Sequence, residues 1–543
     1  MTDVQIAEEL LPVTANLVGG RDITSSYIAD EVSPNTHPLS KNSKIVIAPG
    51  YLTQFAFPCA GRLSVGAKSP LTHGIKESNV GGTMSKALSD NGISAVIIEG
   101  TPNDNALYVL YLSRDGARLD RADNLRGKGN QETLQTLRTS YGDTVSVLTV
   151  GRAGDYLLPA ATIACTDTAG KISRHAGRGG LGAVMGAKGV KAIVVNTDDA
   201  SKTNKSINSD ISNNIKTIYH IINSHFVSET FRMYGTNGHA DMINALGAYP
   251  TRCFSEGSYE MIDKVNGDYL RNFILSRGGK TAHYACSLCG IGCSNIINNS
   301  KNEYVTSALE YETICAFGAN CGIHDMEVIA EANRICNDIG VDTIETGVAV
   351  AVAMRKTGVL GKIEALKEYL NEIEQQTVIG RELCSGVQAI CNILNEDRIP
   401  TVKKQAIPMY DPRSPFMQAL KITYATSPMG ADHTAGYVTV NAENINNDME
   451  QLSKNAQYYA AAMDAYGICM LATPIIVKDA AQYFTSVMSM IFGRTYGAEE
   501  NIKLGKKIIA VEESYNKMCG FDNYSELPSF MHSEALPPFV NTL

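Results

Sequence analysis

Residues 286–294 read CSLCGIGCS, three cysteines spaced C-x-x-C-x-x-x-C with small residues between them. The spacing points to a metal centre, and the number of thiols says which kind. Zinc sites usually take four ligands in two clips of two. Here one clip carries Cys286, Cys289 and Cys293, and no His follows at finger spacing. A [4Fe–4S] cubane fits better, because it takes four thiolates and one of them can come from far away in sequence. The radical-SAM order, C-x-x-x-C-x-x-C, is the reverse of this one. Ser287, Gly290, Gly292 and Ser294 are small enough for backbone N–H groups to approach the sulfurs and stabilise their charge. The missing fourth thiolate decides the fold, since a distant segment must be brought onto this loop. Cys469, in DAYGIC (464–469), leads because a tight turn is expected there after an amphipathic helix; spacing alone leaves several other cysteines open.

Around this stretch the chain runs to 543 residues, enough for roughly two to four domains. Its apolar fraction and modest charge are those of a soluble globular protein. A net charge of −9 argues against a nucleic-acid binder, which usually carries a basic excess or stripe. No apolar run reaches the roughly 18 residues of a membrane span. The start, MTDVQIAEELLPV, lacks a basic n-region followed by an apolar h-region. A cytoplasmic protein is expected. Thirteen cysteines in such a chain read as thiols and metal ligands, not a disulfide framework. Cys165, Cys253, Cys336, Cys384, Cys391 and Cys519 stand singly and read as small buried hydrophobes.

The first 200 residues read as β-rich. KIVIAPG, RLSVGAK, SAVIIEG, LYVLYLS, VSVLTVG and KAIVVNT are β-branched or alternating runs closed by turn residues. After a polar connector around 197–210, helical periodicity dominates. In DMEVIAEANRICNDIG, Met326, Ile329, Ala330, Asn333 and Cys336 mark one helix face, with Asp325 as N-cap and Gly340 as stop. Strands followed by helices predict separate layers or domains, not a β-α-β alternation. NEDRIPTVKKQAIPMYDPRSP marks a further boundary near residue 405, giving divisions of 1–205, 206–405 and 406–543. NDIGVD (337–342) and DAYGIC (464–469) echo each other as [N/D]-x-x-G-[V/I]-[D/C]. Two helix C-cap glycines account for that echo, and Asp342-x-x-Glu345 reads as a capping box for the next helix.

Several separated stretches together resemble one family, the tungsten-containing aldehyde:ferredoxin oxidoreductases. They are LVGGRDITSSYIADEVSPNTHPLS, GRLSVGAKSPLTHGIKESNVGG, AGKISRHAGRGGLGAVMGAKGVKAIVV, CSLCGIGC, EYET, NDIGVDTIETG, YATSPMGADHTAGY and MDAYGIC, collinear from about residue 18 to 475. The resemblance implies an α+β multidomain fold, with a β-rich N-terminal pterin-binding base followed by two mainly helical domains. It implies a tungsten (or molybdenum) atom held by two pyranopterins and one [4Fe–4S] cluster, for which Cys286, Cys289, Cys293 and Cys469 match the ligands. A Mg2+ bridging the pterin phosphates would be held partly by Asn79 and by a carbonyl within 174–176. The phosphates need N–H donors and cations, and glycine-rich backbone supplies the donors. Ser78, Asn79, Gly81 and Gly82 fit that need, as do Arg174, His175, Ala176, Gly177, Arg178 and Gly179, with Arg62, Arg174 and Arg178 as cations. Without a clean preceding strand, GRGGLG does not support a dinucleotide fold. Asp464 and Gly467, with Asp338, Gly340 and Asp342, match the turns that meet the pterin rings, where a carboxylate can accept ring N–H bonds. That first turn usually opens with Asp, and here Asn337 stands in its place.

Aldehyde oxidation needs a polarised carbonyl, an oxygen source and a proton acceptor. Glu312 in EYET, ahead of the nearby Glu310, and His433 in GADHTAG match the family's acid–base positions. A ferredoxin-like partner and a small carbonyl substrate are implied. The family's opening strand and full C-terminal length are missing here. No Glu-x-x-His occurs, so no interface metal is expected, while ordinary packing still allows a homodimer or hetero-oligomer. Cys315 and Cys321 are expected to be buried. The sharper alternative makes Cys321 a tungsten ligand, as in the benzoyl-coenzyme A reductase branch, and the reaction a low-potential reduction in a larger complex. A third alternative is a cluster-bearing structural subunit without pterin.

Overall fold

The computed structural model describes residues 7, 17–197, 208–441, 443–522 and 524–538. The opening before residue 17 and most of the polar connector lie outside them. Each of the six β-branched runs forms a strand. β1 (Lys44–Pro49), β2 (Leu63–Lys68), β3 (Ile75–Val80) and β4 (Val96–Glu99) make an antiparallel sheet in the order β3-β2-β1-β4. β5 (Tyr108–Ser113), β6 (Gly116–Arg121), β7 (Ser146–Thr149), β8 (Ile163–Thr166), β9 (Ile172–Ala176) and β10 (Val190–Val195) make a second, ordered β6-β5-β10-β7-β8-β9. Within it only β5 and β10 run parallel.

Alternation along β1 explains the layering, because successive side chains leave opposite faces of a strand. Ile45 and Ile47 meet Leu148, Ile163 and Ile193 of the second sheet in one apolar cluster. Val46 and Ala48 face the other way, onto Ile23 and Ile28 of the helix Gly20–Glu31 and Tyr515 of the helix Ala498–Met518. The second sheet repeats this: Val147, Ala192 and Val194 cover Leu134 and Leu137 of the helix Asn130–Tyr141. Two sheets packed face to face, with a helix on each outer face, form the β-rich base.

A strand does precede the glycine run, contrary to the expectation from sequence: β9 ends at Ala176 and the helix Leu181–Ala187 follows. The dinucleotide arrangement is still absent. β7 and β8 separate β9 from β10, and the chain of antiparallel pairings makes β9 and β10 antiparallel. The alternating pattern was hidden because Arg174 and His175 interrupt it.

Beyond the connector the chain is mainly helical. The helix Met326–Ile339 begins where Asp325 accepts the N–H groups of Glu327 and Val328 and ends at Gly340 with φ +80°. The polar passage near 405 is folded inward: a short hairpin pairs Thr401–Val402 with Gln405–Ala406, and Val402, Ala406, Ile407 and Met409 join the apolar cluster of the preceding helices. Its charges are matched in place, Arg413 by Asp411 at 2.7 Å and Arg398 by Glu534 at 2.8 Å. The capping box half forms. Asp342 caps the helix Thr343–Lys356, but Glu345 turns away to accept the N–H groups of Val387 and Ala406.

Candidate functional site

The two echoing turns sit on matching pieces of the two sheets. Gly467 and Gly340 each end a helix with φ +80°, the left-handed region where a side chain is strained. A Cβ on Gly467 would lie 2.7 Å from Gly50 Cα, and one on Gly340 would lie 3.0 Å from Gly151 N. The Gly467 carbonyl accepts the Arg62 N–H at 3.1 Å, and the Gly340 carbonyl accepts that of Thr162 at 2.8 Å. Two residues further on, the registers match as well: Ser64 pairs with Asn79 and Ala164 with His175. Arg62 Nε donates to Asn79 Oδ1, while Thr162 Oγ1 bonds His175 Nδ1 at 2.8 Å. The cradles 78–82 and 174–179 therefore leave equivalent strand ends and meet where the Arg178 N–H donates to Ser78 Oγ at 3.3 Å.

The C-x-x-C-x-x-x-C loop lies against this junction. The Ser287 N–H donates to Gly82 O at 2.9 Å, and Gly81 lacks the Cβ that would fall 2.3 Å from Cys286 Sγ. Cys469 arrives from the other turn. Burial, then the neighbouring Cys286 and Cys469 thiols, push Cys289 up to about 12; burial, Glu310 and Cys289 push Cys293 up as well. Thiols crowded in this way give up their protons only to a cation, which an iron cluster supplies. Among the described residues no three His, Cys, Asp or Glu side chains converge on a single ion. A cubane does not ask for that, because each thiolate takes a different iron. The Gly292 N–H already points at Cys289 Sγ, 3.3 Å away. A cleft of 650 Å³ opens from the surface onto Cys286 and Cys289, bordered by Pro58, Lys216 and Tyr219.

Buried polar atoms normally have partners. Asn79 Nδ2, Arg174 Nε, His175 Nε2, Glu77 Oε1, Glu312 Oε1 and His433 Nδ1 have none by hydrogen-bond geometry. These orphans lie in or beside the cradles and the Glu312–His433 pair, and the space where a Gly177 Cβ would stand is open. The donor set fits an anionic, N–H-bearing group such as a pterin phosphate. Asn79 keeps its NH2 without a protein acceptor, while its Oδ1 is held by Arg62. Arg178 is not left free for a phosphate: it donates to Asp342 at 3.1 Å and to the carbonyls of Ala431 and Ala406 at 2.6 and 2.8 Å. Arg174 is tied to Glu310 at 2.9 Å.

Glu312 opens the helix Tyr311–Phe317, and His433 sits in a short turn capped by Asp432. The structure brings their side chains together, with Oε1 and Nδ1 3.3 Å apart although not aligned for a hydrogen bond. Burial raises Glu312 to about 8, against the Met409 N–H that donates to its other oxygen at 2.9 Å. Burial lowers His433 to about 4, opposed by Asp432. Asp432 itself is ion-paired to Lys76 of β3 at 2.8 Å. The Tyr410 ring packs on His433 with centroids 5.5 Å apart. Glu310, two residues before Glu312, turns instead to Arg174 and Thr236.

Among the expected residues, Asp338 is placed otherwise. Asp338 accepts the Gln131 N–H at 2.9 Å and so serves the start of the helix Asn130–Tyr141. Asn337 turns its amide to Thr306. Cys321 is buried, as expected, with Sγ 3.4 Å from Ala316 O and its pKa raised by burial and then by Cys253. Other residues were not foreseen. Arg21 donates to Asp464 at 3.2 Å and to both oxygens of Glu512 at 2.9 Å, and burial, then the Asp464 carboxylate, raises Glu77 to about 8. Arg21 stands in the GGRD run and Glu77 in IKESNVGG, and both carried that signal; Glu512 had none. Cys59 of FPCAGR went unremarked.

Two family models cover the chain: "Aldehyde ferredoxin oxidoreductase, N-terminal domain" over residues 1–197, and "Aldehyde ferredoxin oxidoreductase, domains 2 & 3" over 213–540. A tungsten-containing aldehyde ferredoxin oxidoreductase of Pyrococcus furiosus is 28% identical over 570 residues, covering 99% of this chain and 91% of that protein. A more distant similarity, 24% over 485 residues, is to the WOR-like subunit of an aliphatic sulfonate oxidoreductase from the same organism, with 80% and 72% covered. Among solved structures, the active-site complex BamBC of benzoyl coenzyme A reductase, bound to 1,5-dienoyl-CoA, shares the fold: TM-score 0.77, 17% identity, 95% of this chain and 87% of that one. Matched from the β base through the helical part, this chain belongs to the tungsten-containing aldehyde ferredoxin oxidoreductase family and is an oxidoreductase.

Proposed function

We propose that the chain oxidises an aldehyde to a carboxylic acid. In this reading the cradles 78–82 and 174–179 would hold a tungsten (or molybdenum) bis-pyranopterin facing the Glu312–His433 pair, and Asn79 would help hold a Mg2+ at its phosphates. A [4Fe–4S] cluster sits on Cys286, Cys289, Cys293 and Cys469. The bound metal–pterin group supplies two-electron redox chemistry at the carbonyl carbon. Aldehyde and water would become acid, two protons and two electrons, for which a ferredoxin-like protein in the cytoplasm would be the acceptor.

The single observation that carries the reading is the buried Glu312–His433 pair, 3.3 Å apart. Glu312, at about 8, holds its proton at neutral pH and releases it just above. Its carboxylate is then a base matched to the working pH. His433, at about 4, stays a neutral imidazole and can pass a proton between the carboxylate and the substrate side. Asp342 keeps Arg178 tied to the carbonyls beneath this pair, and Lys76 holds Asp432, so the pair stands on fixed charges.

The test is viologen-dye reduction by anaerobically purified protein in which tungsten, molybdenum and iron have been counted. The expected result is aldehyde-dependent reduction whose rate rises with pH toward a limb near 8. Glu312→Gln should abolish the limb and slow turnover about 100-fold or more. Protein that holds both metals and reduces no dye across many aldehydes rejects aldehyde oxidation and leaves the low-potential reductase. Iron without tungsten or molybdenum leaves the structural subunit.

A further inference from the structure

Cys59 joins the two halves of the thiol group. It is 3% exposed and follows the short helix Tyr51–Phe55 on the way into β2. Its N–H donates to Leu288 O at 2.7 Å, inside the three-thiol loop, and its carbonyl accepts the Cys469 N–H at 2.9 Å. One residue thus ties the loop to the distant fourth thiol. The side chain makes a third tie, with Sγ accepting the Gly290 N–H at 3.2 Å. Its φ of 60° is one that glycine adopts without strain. Glycine would keep both backbone bonds, so the thiol is the part of Cys59 that the backbone role leaves unexplained.

N–H groups directed at a cluster's sulfurs stabilise the extra electron of the reduced state and raise the potential. The Gly290 N–H lies in the middle of the C-x-x-C-x-x-x-C loop, one residue after Cys289, and its acceptor is Cys59 Sγ. Four thiolates already complete a cubane, so a fifth sulfur behind the loop has no iron to take. We propose that Cys59 is a positioning residue of the cluster: by accepting the Gly290 N–H it withholds that donor from the cluster's sulfurs and keeps the reduction potential low. The proposal rests on the assignment of the cluster to Cys286, Cys289, Cys293 and Cys469.

The test is an EPR-monitored redox titration of the anaerobically purified holoprotein and of Cys59→Ala, Cys59→Ser and Cys59→Gly, with iron counted in each. Failure of the cluster assignment itself would show in the unmutated protein, as the absence of about four irons per chain. With the cluster present there, Cys59→Ala is expected to keep its iron and shift the midpoint to a more positive potential. Cys59→Ser, whose hydroxyl accepts the same N–H, should stay at the unmutated value. If strain keeps Cys59→Ala from loading, Cys59→Gly relaxes the backbone, lacks the acceptor equally and should show the positive shift. An unshifted potential in the variants that lack an acceptor overturns the proposal. So does an equal shift in the serine variant, or the loss of one iron from every variant, which would make Cys59 a ligand.

Discussion

The turns 464–469 and 337–342 share a backbone and carry different chemistry. Both close a helix on a left-handed glycine, press it against a second glycine, and accept the N–H of the residue that starts the next hairpin. At the first position, Asp464 faces Arg21 and Glu77 while Asn337 turns away to Thr306. At the last, Cys469 enters the thiol group while Asp342 grips Arg178. The difference teaches that backbone geometry and chemical load are separable. The close glycine contact dictates one residue in each turn, and whatever packs above decides the others.

The sharpest way to break this comparison is to remove the charge that underpins one side only. Glu512 is fully buried and takes Arg21 through both oxygens. Glu512→Ala strands a buried guanidinium and should cost about 3–5 kcal/mol, read as a lower urea midpoint. Asp342→Asn on the other side keeps a helix cap and leaves Arg178 its two carbonyls, so its loss should be clearly smaller. Equal losses would mean that the two sides are loaded alike.

The glycines come next. Gly467→Ala meets backbone at 2.7 Å and Gly340→Ala at 3.0 Å, with the same φ. The first should cost about 2–4 kcal/mol and the second about 1–2, since left-handed strain is common to both and the clash is not. A reversed order in chemical denaturation would show that the Gly50 side yields more readily than the Gly151 side.

The last effect is a pH dependence. Burial raises Asp464 from 3.8 to about 6, so the folded chain binds that proton more tightly than the unfolded one. Below the unfolded value both states are protonated and nothing is lost. As pH rises from about 4 to about 6, stability falls, then levels. Asp464→Asn should flatten that slope, a change on the order of 3 kcal/mol between the two ends. An unchanged slope would assign it to another carboxyl.

Much of the fold was legible because its signals are local. β-branched runs marked the strands, and Asp325 with Gly340 bracketed a helix whose cap and stop depend on neighbours a few residues away. The helices at 20–31 and 130–141 were obscured by an N-terminal region read for strands, and β9 by the Arg-His pair that serves the site. In the site, Glu312 and His433 were legible through the family's motifs, as was the three-thiol loop through its spacing. Cys59 and Glu512 carry no motif. Their importance comes from partners far along the chain: Arg21 lies 491 residues from Glu512.

By itself the sequence determined the β-rich base, the helical remainder, the family and the residues that meet its motifs, since each follows from short-range pattern or collinear motif. Tertiary structure alone decided which of two nearby glutamates faces His433, that Arg178 is tied down, that Asp338 caps a helix, and that Cys59 bridges both sources of thiols. A side chain's partner depends on which distant segments the core packs beside it, and burial then shifts its proton affinity by more than local sequence can.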